Sequence, residues 1–282
     1  MKDCKLLEMR YNADKQYSAA GTVVEYLSPD RSTKSKSPGS SGAGRAGRSY
    51  TQPVFRNKNK GDVQMGNQYT IIDEKNWKRA MHCMVFRNSV EPSFCVTFEL
   101  DITDFLQMVR EKGYSFTISM VYAICKCANE IEEFRYRFLD GKVVLYDKID
   151  TAFTYLNQET ELFKVVNVPM MDSLEEYVPL AQNMAKEQSD YFTGPLGTDV
   201  FQCSPMPWIN YLHISHTNSG KKDQATPLFD WGKYHERGGR IYMPVSIQAH
   251  HSFVDGIHVG KLVNRLQEYM RIDNRGETLQ HG

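Results

Sequence analysis

The segment His250-His251-Ser252-Phe253-Val254-Asp255-Gly256 places two imidazoles and a carboxylate within one short stretch. Imidazole exchanges a proton near neutral pH, so a histidine fixed at a strand end suits general base chemistry. The carboxylate four residues after His251 can hold structure around it. Gly256 permits a tight turn into a following helix. Neighbouring residues of a strand point to opposite faces, so the two histidines cannot both serve one metal or one reacting atom. The plainer alternative is a core histidine beside a surface one. His213 and His216 are expected on opposite faces of a strand, His235 is remote in sequence, and His258 falls in a first helical turn without an assigned role. No metal-ligand spacing emerges, and no metal is expected.

Strong patterning surrounds the motif. Residues 240–249 alternate as a strand ending at the histidines, and 256–270 puts Val259, Leu262, Val263, Leu266 and Met270 on one helical face. Upstream, 69–72 reads as a strand. A helix is expected after Ile72, with Asp73 near its N-cap and Trp77, Met81 and Met84 on one side. A strand over 94–100 precedes helices over 101–111 and 117–129. A hairpin over 134–146 turns at Asp140-Gly141. Strands follow at 150–156 and 161–168, a helix at 173–190, and strands at 207–214, 227–234 and 239–249. The pattern predicts a mixed sheet covered by helices, in the α/β or α+β class, within one domain over 68–274.

Composition bounds the rest. Residues 31–48 are rich in Ser and Gly and carry five basic residues and no acidic one, so 1–67 reads as an N-terminal extension containing a disordered linker. A basic tail for an anionic partner is the alternative. Residues 275–282 read as a C-terminal tail. The chain has 34 basic and 34 acidic residues, so charge gives no case for nucleic acid or a membrane surface as partner. Residues 1–10 lack the apolar stretch of a secretory signal, and no apolar run approaches membrane-spanning length. Of six cysteines only Cys125 and Cys127 are close, and two residues apart on a helix they diverge. Neither zinc nor a disulfide scaffold is indicated, and a reduced, cytoplasmic setting is expected.

The chain resembles the chloramphenicol acetyltransferases. The histidine motif alone is also similar to the acyltransferase cores of 2-oxo acid dehydrogenase complexes and to condensation domains. Further segments in the same order narrow it: 76–82 (NWKRAMH), 98–103 (FELDIT), 133–135 (EFR), 158–161 (QETE), 207–210 (PWIN), 232–234 (GKY) and 248–260 (QAHHSFVDGIHVG). The resemblance covers residues 68–272. It implies a two-layer α/β (α+β) sandwich and a cytoplasmic homotrimer with active sites at the subunit interfaces. It also implies acetyl-CoA as co-substrate, a small hydroxylated acceptor and a link to antibiotic resistance. By the same resemblance His251 is the general base, and Asp255 is a structural carboxylate paired with Arg79. His250 is a support, and Lys233 and Tyr234 lie near coenzyme A.

Two positions depart from the family's pattern. Five residues after Trp208, where the family has a serine that donates to the oxyanion, this chain has His213. Loss of such a donor costs roughly 10²–10³ in turnover, although an imidazole N–H can also donate. Three residues after Pro227, a small hydroxyl residue is replaced by Asp230. His213 and Asp230 are expected to pair within ion-pair range. The function expected is an O-acetyltransferase acting on chloramphenicol or a related molecule. The alternatives are a catalytically impaired trimeric homologue that binds a small molecule or partner, and an acyltransferase core using lipoyl or carrier-protein thioesters.

Overall fold

Two long alternating runs pair to form the centre of the molecule. The structure is a computed structural model, and it describes residues 67–193, 196–216 and 223–271. Its elements, in order, are β1 (Tyr69–Ile71), α1 (Ala80–Arg87), β2 (Ser93–Asp101), α2 (Thr103–Glu111), α3 (Phe116–Asn129), β3 (Tyr136–Leu139) and β4 (Lys142–Tyr146). There follow β5 (Asp150–Leu156), β6 (Phe163–Val168), α4 (Leu174–Glu187), β7 (Val200–Cys203), β8 (Leu228–Trp231), β9 (His235–Arg237), β10 (Arg240–His250) and α5 (Gly256–Arg271). The chain divides into Met1–Ala46 and Gly47–Gly282. All of the first unit lies outside the described residues, as do the expected linker and the 275–282 tail.

A seven-stranded mixed sheet runs β2-β10-β8-β7-β5-β6, with β9 paired to the start of β10. The β5–β7 and β7–β8 pairs are parallel and the others antiparallel. The register sets Ser246 of β10 opposite both Thr97 of β2 and Asp230 of β8. Helices α2 to α5 pack on the sheet and on one another, giving the expected α/β sandwich. Residues from Ile118 to Ala128 of α3 are buried almost without a break, as expected of a helix apolar on most faces and set in the core. Ser115 and Ser173 cap α3 and α4 by accepting the N–H groups of Ile118 and Glu176. A separate small sheet, β1-β4-β3, carries the predicted hairpin. Its turn holds Asp140 at φ 49° and Gly141 at φ 76°, left-handed values that aspartate and glycine tolerate.

Three expectations are corrected. The helix after Ile72 starts only at Ala80. The Asp73 carboxylate accepts the Lys75 N–H and the Asn76 side-chain amide, closing a turn instead of capping a helix. Met81 and Met84 are exposed rather than packed inward. The segment 207–214 is a loop, because Pro205 and Pro207 bring no N–H to a ladder. The strand in this region is β7, whose four residues are too few to show a period. The loop is fixed close to the sheet at Gly232, where an added Cβ would lie 2.7 Å from the Ile209 carbonyl oxygen and 2.8 Å from Pro244.

Candidate active site

β10 ends at His250, and the chain turns at once. The Phe253 and Val254 N–H groups both donate to the His250 carbonyl, and the His251 N–H donates to the Pro92 carbonyl at 2.9 Å. Arg79 locks this turn from a distant part of the sequence. Its guanidinium forms a two-pronged pair with Asp255, at 2.6 and 2.7 Å. The same group donates to the carbonyl oxygens of Ser252 (2.8 Å) and His251 (3.0 Å). A planar fork can make all these bonds at once, whereas an ammonium cannot. Arg79 holds the Asp255 carboxyl below its usual pKa against the opposing effect of partial burial.

The His251 ring is sandwiched by aromatic neighbours. It stacks flat on Phe86 of α1, at 4.0 Å between centroids, and tilts against Phe94 of β2 at 4.8 Å. Its Nδ1 is buried and stands 2.9 Å from Asp255 Oδ1, out of line for a hydrogen bond. The ring is about one-third exposed, and Nδ1 is its buried nitrogen. Phe86 lies outside the quoted motifs, and only the fold brings it to the ring.

His250 points the other way, as strand alternation requires. It is buried against Phe138 and Phe253, and its Nδ1 accepts the Ser252 N–H at 3.1 Å. The Ser252 hydroxyl donates to the Cys83 carbonyl of α1. His258, left without a role by its sequence, accepts the Asp255 N–H through Nδ1 at 2.9 Å. Its Nε2 lies 3.4 Å from Glu133. Burial lowers its pKa, which suits a ring that must keep Nδ1 unprotonated to accept.

The other positions are arranged differently. His213 is exposed on the loop after Pro207. The expected His213–Asp230 pair is not formed. Asp230 instead meets His216, Oδ2 to Nε2 at 2.9 Å, because the irregular loop brings residue 216 over β8. The His216 N–H donates to the Gln248 side-chain oxygen, which also accepts from Cys95. Burial pushes the Asp230 pKa up while His216 opposes it, and the bond to Asp230 raises the His216 pKa. Lys233 and Tyr234 are exposed beyond β8. Tyr234 accepts a hydrogen bond from Arg110 at 3.3 Å and sets its ring edge against Phe116. Among the described residues no group of three potential ligands is arranged for a metal ion.

Comparison with known proteins decides the family. Residues 67–267 match the family described as chloramphenicol acetyltransferase. The chain belongs to that family. It is 31% identical over 204 residues to chloramphenicol acetyltransferase 3 of Escherichia coli, covering 71% of this chain and 96% of the relative. It is 29% identical over 211 residues to chloramphenicol acetyltransferase 2 of Haemophilus influenzae, covering 73% and 98%. A solved chloramphenicol acetyltransferase superposes with a TM-score of 0.67 at 28% identity, covering 72% of this chain and all of that one. A truncated catalytic core of the 2-oxoacid dehydrogenase complex from Thermoplasma acidophilum, at 15% identity and a TM-score of 0.51, shares the fold. As a member of the chloramphenicol acetyltransferase family, the chain is an acyltransferase with acetyltransferase activity. No helix among the described residues is long and apolar enough to cross a membrane.

Proposed function

We propose that this protein is an acetyl-CoA-dependent O-acetyltransferase acting on chloramphenicol or a related small hydroxylated molecule, with His251 as general base. The observation that carries this reading is the Arg79 clamp, four hydrogen bonds spent on the short turn that aims one partly exposed imidazole. In the reaction, Nε2 of His251 takes the acceptor's hydroxyl proton as that oxygen attacks the thioester carbonyl carbon. The tetrahedral intermediate collapses, the carbon–sulfur bond breaks, and the proton passes to the leaving thiolate. The products are the acetyl ester and coenzyme A. Asp255 and Arg79 hold the turn and carry no proton. His213, at the position of the family's serine, offers a ring N–H to the oxyanion. Lys233 and Tyr234 take the coenzyme side, where an exposed lysine and an aromatic ring suit phosphate and pantetheine.

In this reading the protein works in the cytoplasm as a homotrimer with its sites between subunits. Exposed apolar side chains support an assembly that covers this region: Met81, Met84 and Val85 of α1, and Ile257 at the start of α5, beside the His251 turn. A second reading, an impaired homologue that binds without turnover, draws on the replacement of two hydroxyl positions by His213 and Asp230. Thiol release from acetyl-CoA, followed with chloramphenicol and with a panel of hydroxylated acceptors, separates the two. Acceptor-dependent release supports the enzyme. Binding without release from any acceptor supports the second reading. Resistance to the antibiotic follows only if chloramphenicol itself is acetylated.

A further inference from the structure

A cavity of about 380 Å³ lies against β5, β6 and β7, with Phe153, Phe163 and Val165 as apolar wall and Gln202, Ser204 and His216 as polar wall. A smaller, polar cavity of about 60 Å³ shares His216 and Gln202 and reaches Gln248 and His250, next in sequence to the base. Among the described residues lining the larger cavity, His216 alone can carry a charge near neutral pH, since burial keeps the Cys203 thiol protonated. The imidazole is fixed from behind. Asp230, fully buried on β8, holds Nε2, and Gln248 of β10 holds the backbone N–H. Nε2 is committed to Asp230, and the residue lines the cavity wall. The pair is thus a dipole anchored by its negative end in the sheet, with its positive end at the cavity wall.

We propose that His216, anchored on Asp230, makes this cavity selective for a hydroxylated acceptor that carries an anionic substituent of the carboxylate class. This rests on the acetyl-transfer reading given above and names the acceptor class for it. An apolar wall accommodates the body of such a molecule, and one charge-assisted hydrogen bond orients it. His216 here is a specificity residue and takes no part in proton transfer. Among the described residues, the other titratable groups around the pair are Cys95 of β2, Tyr211 of the same loop and Cys203 of β7. All stay neutral near pH 7: burial raises the pKa of both thiols, and that of Tyr211 rises to about 12. His250 of β10 faces the smaller cavity. The selectivity therefore follows His216. Its bond to Asp230 extends the cationic range upward in pH, and the preference fades once the ring deprotonates.

The test uses two matched probes, 4-(hydroxymethyl)benzoate and 4-(hydroxymethyl)benzamide, which differ in charge and little in shape. Binding is measured by calorimetry and acetyl transfer by thiol release, on the full chain at pH 6.5 and 8.5. The benzoate is expected to bind about tenfold more tightly at pH 6.5, as a charge-assisted hydrogen bond permits. The ratio should shrink at pH 8.5, and in His216→Gln it should fall to about one. A wild-type ratio at or below one at pH 6.5, including no binding of either probe, overturns the proposal without reference to the variant. A binding preference with no turnover of any acceptor would leave the selectivity standing and reject acetyl transfer. Turnover with no preference would do the reverse.

Discussion

The turn carrying His251 and the loop carrying His216 each set an imidazole beside an aspartate, yet they are built in opposite ways. At His251 the aspartate belongs to the same turn, 30% exposed, and is satisfied by Arg79, which in the proposed reading leaves the histidine to exchange protons. At His216 the aspartate is 1% exposed in a central strand, and the histidine is itself its partner. The first arrangement frees a ring by satisfying the carboxylate elsewhere. The second ties a ring down to satisfy a buried carboxylate. A histidine–aspartate contact thus carries no fixed meaning, and what else holds the carboxylate decides whether the histidine is a base or a counter-ion.

The difference can be broken from either side. Replacing His251 by Ala should have the largest effect, lowering turnover by about 10²–10⁴ with little change in stability, as checked by thiol release and thermal unfolding. Arg79→Met should come next. It leaves the Asp255 carboxylate and two carbonyls without their donor, so kcat should fall by about 10² through misplacement of the ring. Stability should fall by about 2–4 kcal/mol, read from denaturant unfolding. Arg79→Lys should rescue little of either, because an ammonium cannot reproduce the fork.

The two sides should also differ in their response to pH. Folding lowers the pKa of His258 and of Asp255. The contribution of His258 is complete above its unfolded value of about 6.5 and declines as pH falls below it. That of Asp255 persists to below about pH 4 and is lost as pH falls through its lower folded value. Folding raises the pKa of His216 and of Asp230, so their contributions decline as pH rises instead. Comparing Tm between pH 5 and 8 for His258→Leu and His216→Gln should therefore give differences from wild type of opposite slope. Slopes of the same sign would remove the contrast. The smallest effect on stability belongs to His213→Ala, which should change it by less than about 0.5 kcal/mol in unfolding measurements, since the ring is exposed.

How much could be read from the sequence follows the same division. The strand ending at His250, the helix after Gly256 and the hairpin at Asp140-Gly141 rest on local periodicity and turn chemistry. All three stand in the structure within a residue or two. Arg79 and Asp255, far apart in the chain, were brought together only by the family resemblance. Phe86 and His258 left no signal, because a ring stack and an acceptor for one backbone N–H have no periodic signature. The pairing of Asp230 with His216 is not legible in the sequence, because the family resemblance points to His213 as the partner. In a strand the spacing would have fixed which histidine faces β8, but the loop, interrupted by Pro205 and Pro207, carries no such rule.

A double-mutant cycle in acetyl transfer tests most directly the claim that the Arg79–Asp255 clamp acts by aiming His251. Arg79→Met, His251→Ala and the double variant are compared with wild type by kcat. If Arg79 works through His251, it has nothing left to position once the imidazole is gone, so the double variant should be no slower than His251→Ala alone. A double variant slower by the product of the two single effects would contradict the account.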